Sequence, residues 1–358
     1  MILSHQLLKA DQASPCPYFS DCGGCDFLDL SEETYRTLKK KSLSHNYQDA
    51  NWIWVGPHSR RRINLQIGGK NELGFFAEKS KKIVEIENCF TAEKPISDLI
   101  LPLKNFLKTQ EQNLFTQVTA TLFDNGLDLV FNASRELNFS QTQKLLGLGK
   151  EKNFNVSYRV KNIVVPIFLI RKNQLFYPNF KIELDSEIFI QATRLGLESI
   201  VKIIRDFLSE NKKIKNIADI YAGFGAYSFA IVDLAKSITA FEGDKNMVDS
   251  INKNAAANDF ASKIKAEVAD LFSNPVSKRD LKNFDLAIIN PPRNGASPQV
   301  LEITKSPLKN VIYVSCNPES FTRDAKILID SGFKITNLTA LDQFYSTKHL
   351  ELVGIFQK

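Results

Sequence analysis

Three of the chain's five cysteines fall within ten residues, at Cys16, Cys22 and Cys25 in "CPYFSDCGGC". Cys89 in "EIENCF" and Cys316 in "YVSCNPES" complete the set. An odd count without a secretory leader argues against a disulfide framework. The C-x-x-C step alone is shared by redox pairs, zinc knuckles and cluster loops. Gly23 and Gly24 let backbone amides approach an inorganic core. Structural zinc usually sits between two paired knuckles. Three clustered thiols and one remote thiol fit an iron–sulfur site better, with zinc as the alternative. That tally leaves Cys316 over.

A second chemistry-bearing stretch is "ADIYAGFGAYSFA" (218–230), which reads as strand, glycine turn and helix. Gly223 and Gly225 permit close backbone approach to a ligand at the strand's carboxyl end. Glu242, 17 residues after Gly225, ends the next strand, where a carboxylate accepts both ribose hydroxyls. Asp270 ends the third, where adenine contacts fall. The dinucleotide fingerprint's third glycine is missing, which favours S-adenosylmethionine over NAD. "INPPR" (289–293) ends the fourth strand. Arg293 has no ring to stack on a base, which counts against amino-group methylation. Pro292 stands where cytosine-C5 enzymes place a cysteine.

Cys316 ends the following strand, where a parallel sheet presents functional residues. Beside a methyl donor, a cysteine has a definite use. The C5 of uracil is too poor a nucleophile to attack a sulfonium methyl. Thiolate addition at C6 makes C5 nucleophilic, and a base must then remove the C5 proton so that the thiolate can leave. Glu351, in "LDQFYSTKHLELVGIF" (341–356), is the candidate base, with His349 on the same face of a strand-like run.

Elements must hold these residues in place. "LSEETYRTLKKKSL" has a capping Ser31, acids in its first turn and lysines in its last, so it reads as a helix. Alternation around "GGKN" and around Asp124-Asn125-Gly126 predicts two hairpins, and "VVPIFLI" (164–170) a further strand. Residues up to about 180 therefore read as β-rich and antiparallel. From 194 to 211, Leu197, Ile200, Val201, Ile204 and Leu208 share one helix face. Strands and helices then alternate, which predicts a parallel sheet covered on both faces. The expected fold is α/β. A Rossmann-like S-adenosylmethionine methyltransferase domain at 185–358 follows an iron–sulfur segment and the start of a β-rich domain at 1–90, with the remainder of that domain at 91–184.

The 358 residues suffice for two or three domains, and 43% hydrophobic with 24% charged residues is a globular composition. A net charge of +6 permits a nucleic-acid partner without demanding one. Basic runs at Arg60-Arg61-Arg62 and at Lys79, Lys81 and Lys82 are candidate phosphate contacts. No long apolar run or signal peptide is present, so a cytoplasmic protein without membrane contact is expected. No protein partner is implied.

Taken together, C-x5-C-G-G-C at 16–25, Cys89, "FIQ" at 189–191, "DIYAGFG" at 219–225, "FEGD" at 241–244, "NPPR", "SCNP" and the D-x-F-x-x-T-x-H-x-E run from Asp342 to Glu351 resemble the bacterial iron–sulfur RNA (uracil-C5)-methyltransferases over nearly the whole chain. The resemblance implies that Cys16, Cys22, Cys25 and Cys89 hold a [4Fe–4S] cluster. It further implies that Gln191, Tyr221, Glu242 and Asn290 contact S-adenosylmethionine, that Cys316 is the nucleophile and that Glu351 is the base. Larger relatives carry an RNA-binding barrel before the cluster, and only 15 residues precede Cys16. A cluster without that barrel resembles the branch acting on 23S rRNA. The tRNA T-loop uridine is the alternative substrate, and a non-catalytic cluster-bearing RNA-binding protein the alternative class.

Overall fold

The computed structural model describes residues 10–43 and 45–358. Helix α1 (Glu32–Ser42) starts where Ser31 Oγ accepts the Thr34 amide, with Glu32 and Glu33 first and Lys39 to Lys41 last. Strand β1 (Asn51–Trp54) follows. Next come β2 (Arg62–Ile67), β3 (Leu73–Phe76), β4 (Ile83–Glu85), helix α2 (Lys94–Leu107), β5 (Phe115–Phe123), β6 (Gly126–Ala133), helix α3 (Phe139–Lys152), β7 (Asn155–Val160) and β8 (Ile163–Phe168). From β2 onward these strands form one sheet, ordered β4-β3-β2-β5-β6-β7-β8. Both expected hairpins are present. The expectation of a purely antiparallel region is corrected at one place. β6 runs parallel to β7, because α3 carries the chain back across the sheet between them.

A hairpin, β9 (Asn173–Tyr177) and β10 (Phe180–Leu184), leads to α4 (Arg194–Glu210), capped by Thr193 Oγ1 on the Gly196 amide. The second sheet uses β11 (Asn216–Ile220), β12 (Ser237–Glu242), β13 (Ile264–Val268), β14 (Leu286–Ile289), β15 (Asn310–Ser315), β16 (Lys334–Asp342) and β17 (Glu351–Gln357). Helices α5 (Ala226–Ala230), α6 (Lys245–Ala257), α7 (Lys278–Leu281), α8 (Ser297–Thr304) and α9 (Pro318–Asp330) intervene. The order is β1-β16-β17-β15-β14-β11-β12-β13. β11 to β15 are mutually parallel, and β17 is antiparallel to both its neighbours.

Near-continuous apolar strands fit a sheet buried on both faces. Leu286 and Ile288 join the apolar cluster on one face, and Ala287 and Ile289 the cluster on the other. β1 pairs parallel with β16, so the chain contributes to this sheet before it builds the other. Among the described residues no helix is long and apolar enough to cross a membrane.

Candidate active site

Gln191, Tyr221, Glu242, Asn290, Cys316 and Glu351 all line one open cavity of about 840 Å³. It lies at the carboxyl ends of the parallel strands, where such sheets leave room for ligands. Six residues chosen from six separate stretches of sequence thus meet in one place.

The glycine turn forms one wall. Tyr221, Gly223 and Gly225 all adopt positive φ, at 63°, 56° and 81°. A Cβ added at Gly223 would meet nothing within 4 Å, so the backbone there faces open space, as a ligand's approach requires. Behind the turn, buried Asp219 accepts from the Ser228 amide and hydroxyl at 3.2 and 2.6 Å. Burial pushes its carboxyl up to about 6. Glu242 accepts the Gly223 amide at 2.8 Å through one oxygen and the Gly243 amide at 2.7 Å through the other. That fixes a carboxylate at the lip of the turn, where ribose hydroxyls would meet it. Asp270 lines the same cavity and accepts the Ser273 amide at 3.1 Å. These residues suit a nucleoside with an amino-acid tail.

The thiol and the carboxylate come from neighbouring strands. Ser315 of β15 pairs with Leu352 of β17, so Cys316 and Glu351 lie one step further along the same antiparallel ladder. Glu351 is only 3% exposed. Its Oε2 accepts the Gln343 Nε2–H at 2.6 Å. Burial pushes its carboxyl up to about 8, against the opposing hydrogen bond from Gln343. Burial also raises the Cys316 thiol, the Glu351 charge raises it further, and Arg293 pulls it down by charge and hydrogen bond. Asn290 Nδ2 donates to the buried Tyr227 hydroxyl at 3.2 Å.

His349 departs from expectation. It precedes β17 and lines an adjoining groove with Arg293 and Phe344, not the cavity that Glu351 faces. The strand begins only at Glu351, so period-two reasoning does not extend back to it.

Sequence reasoning passed over Gln343, Tyr227 and the contact of Arg293 with the thiol. Gln343 left one trace, at Gly196. A Cβ there would stand 2.7 Å from Gln343 Oε1, so the helix keeps a glycine where the amide packs.

The N-terminal cysteines gather as well. Cys16, Cys22, Cys25 and Cys89 line one cavity of about 50 Å³, walled by Tyr18, Leu28, Ile63 and Phe75. Burial raises the Cys25 thiol to about 12, and the charges of Cys89, Cys22 and Cys16 add to it. The Gly23 amide donates to Phe76 O at 2.9 Å, and a Cβ on Gly23 would stand 2.8 Å from that oxygen. Among the described residues no His, Cys, Asp or Glu group is gathered closely enough to form a metal site. Four soft donors around one apolar pocket nonetheless have the chemistry of an iron–sulfur or zinc ligand set.

The N-terminal segment also holds the loop before Glu351. Lys39 Nζ is within 2.9 Å of Asp342 Oδ1 and donates to Thr347 O at 2.8 Å. The Tyr35 hydroxyl donates to Asp342 Oδ2 at 2.6 Å and accepts the Ser346 amide at 2.9 Å. Asp26 Oδ2 accepts the Lys348 amide at 3.0 Å.

The model of the tRNA (uracil-5-)-methyltransferase family matches residues 55–358. The chain belongs to this family of RNA (uracil-C5)-methyltransferases. It is an S-adenosylmethionine-dependent enzyme that methylates C5 of uracil in RNA.

Relatives resemble the methyltransferase along its whole length. An uncharacterized RNA methyltransferase of Mesorhizobium japonicum is 29% identical, over 100% of this chain and 87% of its own. A 23S rRNA (uracil(1939)-C(5))-methyltransferase of Shewanella piezotolerans is 28% identical, over 99% of this chain and 84% of its own. Among solved structures, the Pyrococcus abyssi tRNA (uracil-54, C5)-methyltransferase in complex with S-adenosyl-L-homocysteine shares the fold. Its TM-score is 0.71 at 23% identity, covering 97% of this chain and 88% of that one.

Proposed function

We propose that this methyltransferase modifies a uridine of 23S rRNA through a covalent Cys316–C6 adduct, with Glu351 removing the C5 proton. The observation that carries the mechanism is the placement of Cys316 and Glu351, one ladder step beyond Ser315–Leu352, in the cavity that the glycine turn also lines. Gln191, Tyr221, Glu242 and Asn290 contact S-adenosylmethionine, which supplies an electrophilic methyl when bound. The Cys316 thiolate adds to C6 and forms a C–S bond, the ring's electron pair moves to C5, and C5 would take the methyl as its bond to the sulfonium sulfur breaks, leaving S-adenosylhomocysteine. Glu351 then takes the C5 proton. The C5–H pair restores the C5–C6 double bond, the C6–S bond breaks, and Cys316 leaves as thiolate.

Cys16, Cys22, Cys25 and Cys89 hold a [4Fe–4S] cluster. The shared cavity and the all-thiol donor set support that reading. The chain divides into an iron–sulfur segment with the first strands at 1–90, the rest of the β-rich domain at 91–184 and the methyltransferase domain at 185–358, with β1 crossing to the last. The 23S assignment is supported by the Shewanella relative and by the four-cysteine constellation.

The test supplies methyl-labelled S-adenosylmethionine with separate 23S rRNA and tRNA transcripts to protein purified without oxygen. Label recovered as 5-methyluridine in 23S rRNA, and lost with Cys316→Ala, is expected. Label in tRNA keeps the mechanism and moves the substrate to the T-loop reading. Iron and sulfide content, lost in Cys25→Ser, tests the cluster separately.

A further inference from the structure

Beside the catalytic cavity lies a second open groove of about 740 Å³. Arg293 and Phe344 line both, so the two are continuous. The groove wall carries Arg60, Lys79, Lys81, Arg293 and Lys348. Among the described residues that line it, only Asp26 and Glu78 oppose them. Glu78 pairs with Lys79 at 3.1 Å across the surface, and Asp26 is occupied by the Lys348 amide. Arg60 holds its guanidinium 5.9 Å from the Phe344 ring centroid, and its buried Nε lacks a hydrogen-bond partner.

The structure divides the basic runs of the sequence sharply. Arg61 is buried and donates to Gln191 O at 3.1 Å, and Arg62 lies over Phe189. Neither lines the groove. Arg60 does, from a position just before β2 where its backbone bridges to Ala92 and Thr193. Lys79 and Lys81 reach it from the β3–β4 turn, which the cysteine loop holds through the Cys22–Ala77 bridge.

We propose that this groove carries the phosphates of the RNA strand that flanks the target uridine, on the cluster side of the active site. The inference rests on the RNA methylation reading and adds where the strand runs. Excess cations on a concave wall, one aromatic ring at the junction and continuity with Cys316 are what a single strand with one base turned inward requires. Gly23 and Gly24 form part of the same wall, so the cysteine loop and the strand share a boundary.

The experiment measures binding of a fluorescein-labelled, uridine-bearing single-stranded RNA to the full-length holoprotein with S-adenosylhomocysteine, across a salt series. Each lost phosphate contact makes the log–log salt slope shallower by about 0.7 and weakens binding at 0.1 M salt on the order of fivefold. Lys79→Ala/Lys81→Ala is expected to lose about twice that slope, Lys348→Ala about one such step, and Lys79→Arg/Lys81→Arg to restore it. Lys212→Ala/Lys213→Ala, exposed and outside the lining of both the groove and the catalytic cavity, is expected to bind as the native protein does. A Lys79→Ala/Lys81→Ala slope equal to that of the native protein, or equal losses in the Lys212/Lys213 control, overturns the groove while leaving methylation standing. The expected slope changes in a protein that transfers no methyl support the groove and overturn the proposed mechanism instead.

Discussion

Gln343 Nε2 donates to Glu351 Oε2 at 2.6 Å inside a cavity from which water is largely excluded around the carboxylate. The amide orients the carboxyl and leaves its other oxygen free. Burial outweighs the hydrogen bond, so the group titrates at about 8 instead of in the usual carboxylate range. A base poised there takes a proton and releases it again near neutral pH.

The first prediction separates the two halves of the reaction. Glu351→Gln keeps the shape and the Gln343 neighbour but cannot accept the C5 proton. It should therefore accumulate a covalent complex with ordinary uridine RNA, while turnover falls roughly 10²–10⁴-fold. Cys316→Ala should form no complex with any RNA, 5-fluorouridine RNA included. Denaturing gels with labelled RNA read both, and a Glu351→Gln protein that turns over at the native rate would remove Glu351 from the mechanism.

The second concerns pH. The folded state holds a proton on Glu351 that the unfolded chain releases above its ordinary value of 4.5. The contribution to stability is complete below 4.5 and is lost as pH rises through about 8. Urea midpoints should fall between those limits in the native protein and fall less in Glu351→Gln. In single-turnover experiments, resolution of the adduct should quicken with pH through about 8. Equal midpoint slopes in the two proteins would contradict the burial argument.

A third prediction addresses the strap from α1. Lys39 and Asp342 are each 1% exposed and lie within 2.9 Å of one another. Burial lowers the Lys39 pKa, and Asp342 opposes that shift. Lys39→Met leaves Asp342 buried without its cation, which costs about 3–5 kcal/mol. Lys39→Met/Asp342→Asn should recover part of that loss in chemical denaturation. A single variant as stable as the native protein would show the pair to be dispensable.

The glycine turn provides a fourth. Gly223 has φ of 56°, a region in which alanine is strained, and a methyl there would meet no atom within 4 Å, in the wall of the cavity proposed to take the cofactor. Gly223→Ala should raise the Kd for S-adenosylmethionine in calorimetry more than it lowers the thermal midpoint. A change confined to the midpoint would place the turn away from the cofactor.

Much of the site could be read locally because its chemistry is carried by short strings at strand ends. The turn at Tyr221–Gly225, Glu242 at the end of β12 and Cys316 after β15 each announce themselves within a few residues. Helices α2 and α3 were not read in the sequence. Pro102 lies inside α2 and masks the apolar stripe of Ile96, Leu99, Ile100 and Leu103. In α3 two glycines weaken the helical signal, although the Asn138–Gln141 capping box marks its start.

The sequence by itself determined the residue types that the chemistry needs, their order along the chain and the alternation that builds the second sheet. Periodicity and turn preferences act over a few residues, and they remain legible without neighbours. Only the tertiary structure decided which of Arg60, Arg61 and Arg62 faces a groove, that Gln343 meets Glu351, that β1 pairs with β16, and that Lys39 reaches Asp342. The last two of these pairings depend on a sheet whose strands come from both ends of the chain, and no local pattern encodes a partner some 300 residues away. Gln343 and Glu351 lie only eight residues apart, but their contact depends on the course of the connection that joins β16 to β17.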